Sequence, residues 1–181
     1  MTRTILITGG SDSGKSRWAI TSFAAYDNVL YIYPGDAMDN DTGNRIEYEN
    51  KKNYVEWDIK TGIEQNPESL FAGHKFAIFD GLVSYTAKVM DRMWPGKDAP
   101  EEAVCKAIER SIIEDVQKMY EEIDKVGGIM IVITVETGFS LVPTDARTRA
   151  FRHILGIVNQ RIANISSEVY LSASGIQFRI K

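Results

Sequence analysis

Gly9-Gly10-Ser11-Asp12-Ser13-Gly14-Lys15-Ser16 follows an apolar run, Thr4-Ile5-Leu6-Ile7-Thr8, and precedes a helical pattern. This is G-x-x-x-x-G-K-S between a strand and a helix, the phosphate-cradling P-loop. Gly9 and Gly14 open backbone conformations closed to other residues, so consecutive N–H groups can turn toward phosphate oxygens. The helix that follows adds its positive end. Lys15 supplies a point charge for the β- and γ-phosphates, and the Ser16 hydroxyl can join a Mg²⁺ shell. A nucleoside triphosphate, ATP or GTP, and Mg²⁺ are therefore the expected ligands, held by Gly9 to Ser16 and the adjoining Arg17.

Further chemistry-bearing residues lie downstream. Asp80 ends the apolar run Lys75–Asp80, where an acid in a P-loop fold holds Mg²⁺ with Ser16 or orients a nucleophile. Its bland alternative is a turn carboxylate before Gly81. Glu136 follows a second apolar run and reads as a further metal-site or base carboxylate, or as a cap on the Gly138 turn. Arg147, Arg149 and Arg152 fall near the start of one helix, with Arg149 and Arg152 on one face. They would meet phosphate charge developing during transfer, or form a solvated basic face. Lys15, Asp80, Glu136, Arg149 and Arg152 are the expected catalytic set.

Other residues carry less. Asp36, Asp39 and Asp41 fail the spacing of a calcium loop, since the glycine and glutamate positions counted from Asp39 are Asn44 and Asn50. His74 and His153 are too far apart in the chain for a metal pair. Cys105 sits beside an apolar helical stripe and reads as buried and inert. Trp18, Trp57 and Trp94 read as core or pocket wall. No Asn-Lys-x-Asp guanine signature appears.

The elements that must position these residues alternate strand and helix. Strands are expected at Ile5–Thr8, Val29–Tyr33, Val55–Ile59, Lys75–Asp80 and Ile129–Val135, with a closing hairpin of Glu168–Ala173 and Ile176–Ile180 turned at Ser174-Gly175. Helices are expected over Ser16–Tyr26, 45–53, 82–94, 145–164, and from Pro100 to the Gly127-Gly128 break. In that last one Val104, Ile108, Ile112, Val116, Met119 and Ile123 make one buried stripe. Residues 36–44 read as a loop. The expected fold is α/β, a P-loop NTPase in one domain (residues 1–181). Its sheet is mostly parallel, with helices on both faces and an antiparallel C-terminal edge hairpin. Such sheets bind ligands at the carboxyl ends of their strands, where the P-loop, Asp80 and Glu136 fall.

Composition narrows the partners. The 181 residues carry a net charge of −4 and include one cysteine, with an isoelectric point near 5.3. That balance argues against a nucleic-acid surface. The cysteine count excludes a disulfide framework and suits the cytoplasm. Neither a signal peptide nor an apolar run of membrane-spanning length is readable.

Taken end to end, the chain resembles the bifunctional adenosylcobinamide kinase/adenosylcobinamide-phosphate guanylyltransferase family of cobalamin assembly. The resemblance rests on Thr8-Gly9-Gly10, Ser13-Gly14-Lys15-Ser16-Arg17, Leu30-Tyr31-Ile32, Arg45-Ile46 and Trp57. It continues through Asp80, Thr134-x-Glu136-x-Gly138, Val142-Pro143, Phe151-Arg152, Gly156-x-Val158-Asn159-Gln160-Arg161 and Ser174-Gly175-Ile176. It implies phosphorylation of the aminopropanol hydroxyl of adenosylcobinamide, then GMP transfer through a histidine–GMP intermediate, in a homotrimer. The family's nucleophilic histidine lies four residues after the Arg-Ile pair, and here that position is Glu49, beside Tyr48. An imidazole is nucleophilic when neutral and leaves easily as imidazolium, whereas a carboxylate's charge opposes attack on a polyanion. The kinase half therefore carries over and the guanylyl-transfer half is put in doubt. Val83, Lys88, Val135 and His153 are smaller departures. The residues also admit a kinase of another small alcohol, or a nucleotide-binding regulatory module without chemistry.

Overall fold

The apolar runs become one seven-stranded sheet in the order β3-β2-β4-β5-β1-β6-β7. This computed structural model describes residues 2–63, 65–138 and 141–181. The strands are β1 (Arg3–Gly9), β2 (Leu30–Tyr33), β3 (Asp58–Thr61), β4 (Phe76–Asp80), β5 (Ile129–Ile133), β6 (Glu168–Ala173) and β7 (Ile176–Arg179). All neighbours pair in parallel except β6 with β7. Ser174 and Gly175 both have positive φ, 51° and 80°, the backbone a two-residue hairpin turn requires.

The helices are α1 (Lys15–Phe23), α2 (Asn40–Asn53), α3 (Leu82–Met93), α4 (Glu102–Lys125) and α5 (Ala146–Ile165). Alternation along β1 sorts them onto two faces. Ile5 and Ile7 join α1, α2 and Trp57 in one core, while Leu6 joins α3, α4 and α5 in the other. On α4 the residues Ile108, Ile112, Val116, Met119 and Ile123 of the expected stripe are fully buried, while Val104 at its start is only partly buried against the same core. Burial of each large side chain contributes about 1.5–3 kcal/mol before the cost of ordering it.

The architecture is the α/β fold expected, with three local corrections. Residues 36–44 are not all loop, because α2 starts at Asn40. Asp39 caps it, its carboxylate accepting from the Thr42 amide at 2.8 Å. The strand expected at Val55–Ile59 shifts to Asp58–Thr61, because after the left-handed Tyr54, φ 56°, the chain is held short of the sheet, the Glu56 amide bonding Asp27 and Trp57 seated in the core. A short 3₁₀ turn, Pro67–Phe71, was not anticipated; it seats Phe71 in the core. Outside the site, His74 bonds the Asn28 carbonyl at 3.1 Å through Nδ1. Cys105 is half-buried, and burial raises its thiol pKa. Trp57 is core, whereas Trp18 tilts against Tyr170 at a cleft wall.

Candidate active site

β5 lies between the P-loop strand β1 and the Asp80 strand β4, in register with both: Ile133 pairs with Ile7 and with Asp80. The carboxyl ends of these three strands thus bring the P-loop, Asp80 and Glu136 to one edge. The P-loop backbone meets the demands on its glycines. Gly9 has φ 149°, and a β-carbon there would stand 2.2 Å from the Ser172 carbonyl oxygen. Gly14 has φ 96° where α1 begins. Asp12 also takes a positive φ, 54°. The C-terminal hairpin braces the loop from outside: Ser172 Oγ and the Gly175 amide both donate to the Ser13 carbonyl, at 2.7 and 3.0 Å.

Lys15 folds over its own loop. Its Nζ donates to the Gly10 carbonyl at 2.6 Å and lies 3.3 Å from Ser13 Oγ. Burial lowers its pKa, against the pull of Asp80 and Asp12. Asp80 is buried on the α1 side, where it accepts from Tyr31 Oη at 2.5 Å and has the Ser16 hydroxyl near enough to favour its charged form. Burial raises the Asp80 pKa, opposed by Tyr31, Ser16 and Lys15. A serine hydroxyl and a carboxylate at one point are hard oxygen donors, and that donor set fits Mg²⁺. Among the described residues no group of three His, Cys, Asp or Glu side chains could enclose a metal by itself. Mg²⁺ in phosphate sites commonly takes one or two protein ligands and completes its shell with phosphate and water.

Two clefts meet at this edge on opposite faces of the sheet. The first, about 640 Å³, is bordered by Asp12 to Arg17, Asp39, Asp41, Arg45 and Gln177. Asp39 is close enough to Asp80 and Tyr31 to disfavour added negative charge on both. Ser11 and Gly10 are exposed at the loop's tip. The second cleft, about 570 Å³, runs between α5 and strands β1 and β6. Glu136, Arg149, Arg152 and His153 line it.

The structure thus puts Lys15 and Ser16 on the first cleft, with Asp80 buried beside them, and Glu136, Arg149 and Arg152 on the second. The link between them is the Glu136 amide, which donates to the Gly9 carbonyl at 3.2 Å. Arg152 donates to the Gly138 and Leu141 carbonyls at 2.9 and 3.1 Å. Arg149 bonds the Pro143 and Thr144 carbonyls. Arg147 is turned away, bonded to Asp91 and to the Trp94 and Gly96 carbonyls. The Glu136 carboxylate accepts from the Gly138 amide at 2.8 Å, the turn-capping alternative, and the residue also lines the cleft.

Two contributors were missed. Tyr31, on β2, reaches Asp80 on β4; a tyrosine inside a buried strand needs a hydroxyl partner, which was the available signal. Asn159, on α5, accepts from Thr134 Oγ1 at 2.7 Å and donates to the Val135 carbonyl at 3.1 Å. It thereby fixes the turn that carries Glu136. Glu49 lies on α2 one turn beyond Arg45, largely buried, 3.2 Å from Asn53 Nδ2 and 3.7 Å from Lys52 Nζ.

Fold and site together define a P-loop α/β protein. A family model described as cobinamide kinase / cobinamide phosphate guanyltransferase matches residues 5–180, and the chain belongs to that family. It is 29% identical over 180 residues to the bifunctional adenosylcobalamin biosynthesis protein CobU of Escherichia coli K12, covering 98% of this chain and 99% of that protein. The protein of the same name from Salmonella typhimurium LT2 is 28% identical over the same share of each. Among solved structures, the ATP synthase subunit NeqB of Nanoarcheaum equitans superposes with a TM-score of 0.56 at 12% identity. That match covers 93% of this chain and 45% of that one, and it speaks for the fold alone. No helix among the described residues is long and apolar enough to cross a membrane.

Proposed function

We propose that this protein is a nucleotide- and Mg²⁺-dependent kinase that phosphorylates the aminopropanol hydroxyl of adenosylcobinamide. The observation that carries the reading is the buried Lys15–Ser16–Asp80–Tyr31 cluster at the carboxyl edge of a parallel sheet. Lys15 would exchange its bond to the Gly10 carbonyl for phosphate oxygens, releasing a buried cation into an anionic site. Ser16 and Asp80 would hold Mg²⁺, which neutralises charge on the phosphates when bound. The acceptor oxygen bonds to the γ-phosphorus as the bond to the bridging oxygen breaks, and the nucleoside diphosphate leaves. The hydroxyl proton passes to a carboxylate at this edge, Glu136 or Asp80. Arg149 and Arg152 face the acceptor side of that transfer.

The guanylyl-transfer half lacks its nucleophile, since Glu49 replaces the histidine and is held by Asn53 and Lys52. His153 lines the other cleft and His74 is bonded beside β3. Purified protein incubated with labelled ATP or GTP, Mg²⁺ and cobinamide is expected to give phosphocobinamide and no labelled protein. Nucleotide hydrolysis without corrinoid phosphate would favour another alcohol or a regulatory module. An alkali-labile protein–GMP adduct would restore the second activity through Glu49.

A further inference from the structure

The α5 cleft is not accounted for by packing. In the middle of α5, Gly156 borders it, and a β-carbon added there would meet nothing within 4 Å. Glycine in a helix interior lowers stability, and here no neighbouring protein atom requires its small size. Backbone laid bare toward an open cavity suits the close approach of a ligand. A second, independent sign is Thr8, in the same wall, whose Oγ1 is buried with no hydrogen-bond partner among the described residues. A buried hydroxyl left unpaired marks a site completed by something not of the chain.

The cleft's chemistry is graded. Leu6, Ile157, Val169 and Ile180 give an apolar wall, and the mouth holds Arg149, Arg152 and His153 beside Glu136. Each guanidinium carries five donors, and among the described residues the Gly138, Leu141, Pro143 and Thr144 carbonyls use only part of them. The mouth adjoins the P-loop through the Glu136 amide on the Gly9 carbonyl. A ligand seated here has an apolar body inside and a polar end at the loop.

Resting on the kinase reading, we infer that the α5 cleft seats the phosphate acceptor, a bulky alcohol with an apolar body. Its hydroxyl arm lies at Glu136 and, once phosphorylated, its monoester lies against Arg149 and Arg152. The volume of about 570 Å³ takes one edge and the arm of a large ring system, with the remainder outside. The nucleotide occupies the opposite face, so the two substrates meet over the end of β1.

Gly156→Phe fills the cleft from a helical position that any residue can adopt, and Gly156→Ala puts one carbon into the same space. Wild type and both variants are assayed for nucleotide affinity by calorimetry and for phosphorylation of dicyanocobinamide. Expected are unchanged nucleotide affinity in all three and a cobinamide KM raised tenfold or more in Gly156→Phe, with a smaller rise in Gly156→Ala. Should the phenylalanine unfold the protein, the alanine variant alone decides, with unchanged KM counting against the cleft. Wild-type turnover with KM unaltered by either substitution overturns the acceptor seat and leaves the kinase reading standing. A wild type that binds nucleotide but never phosphorylates cobinamide overturns the reading and, with it, this seat.

Discussion

The two clefts that meet at the end of β1 are built by opposite means. On the α1 side most of the polar groups belong to one short stretch of chain, Gly9 to Arg17, joined by Asp80 from the end of β4, and Lys15 and Asp80 are both buried. On the α5 side the charged groups are gathered from separate segments and stand at the mouth, with Arg149 and Arg152 bonded to the Gly138, Leu141, Pro143 and Thr144 carbonyls. A phosphate chain is the same in every nucleotide, so its cradle can be rigid and local. An acceptor differs from one enzyme to another, and on the proposed reading its seat would be assembled from residues whose positions depend on the whole fold.

That contrast is open to attack, beginning with the strongest expected effect. Asp80→Asn should lower kcat by about a hundredfold to a thousandfold, the scale of losing a key charge-stabilising group. Steady-state kinetics at saturating nucleotide would show it, and an intact kcat would remove Asp80 from the chemistry. Lys15→Ala should weaken nucleotide binding by about tenfold to a hundredfold, as for loss of a charge-assisted bond worth about 1.5–3 kcal/mol. Calorimetric titration checks this, and unchanged affinity would sink the P-loop assignment. Asn159→Ala leaves the Thr134 hydroxyl buried without its partner and should cost about 1–3 kcal/mol of stability. Nucleotide affinity should hold in that variant, and denaturant unfolding beside titration separates the two effects.

The smallest expected change lies at the far end of the sheet and serves as a control on both clefts. Arg3 bonds Glu168 at 2.6 Å and holds its carboxyl below the ordinary glutamate range. A depressed folded-state pKa contributes stability at neutral pH that disappears as pH falls through that pKa. Arg3→Ala should therefore lower stability by at most about 1 kcal/mol at pH 7. The difference from wild type should fade below pH 4, read from thermal melts across pH, with neither substrate's binding altered.

What was legible in the chain follows the same division. The P-loop could be read because its demands are local: positive φ at Gly9 and Gly14 and a cation one residue after the second glycine. Asp80 could be placed by the apolar strand it ends. Tyr31 and Asn159 were missed because their partners lie 49 and 25 residues away in sequence, across strands or from helix to strand. The arginines were found by type, but only the fold put Arg149 and Arg152 in one cleft and sent Arg147 to Asp91. The start of α2 was misread because an acidic stretch resembles a loop, yet Asp39 followed three residues later by Thr42 is also a helix start. The family resemblance supplied Glu49's significance, which no local rule contains.

The brace from Ser172 and Gly175 to the Ser13 carbonyl joins the last part of the chain to the first. β1 is flanked by β5 and β6, so the strand that carries the glycine-rich loop is synthesised well before either of its neighbours. A nascent chain that has emerged only as far as β4 has the Gly-Lys-Ser string but neither neighbour of its strand. Pairings this distant in sequence form slowly, because the loop-closure entropy must be met first. Nucleotide binding should consequently appear only after the closing hairpin docks. The docking of that hairpin and the first moment of nucleotide competence would be the same event.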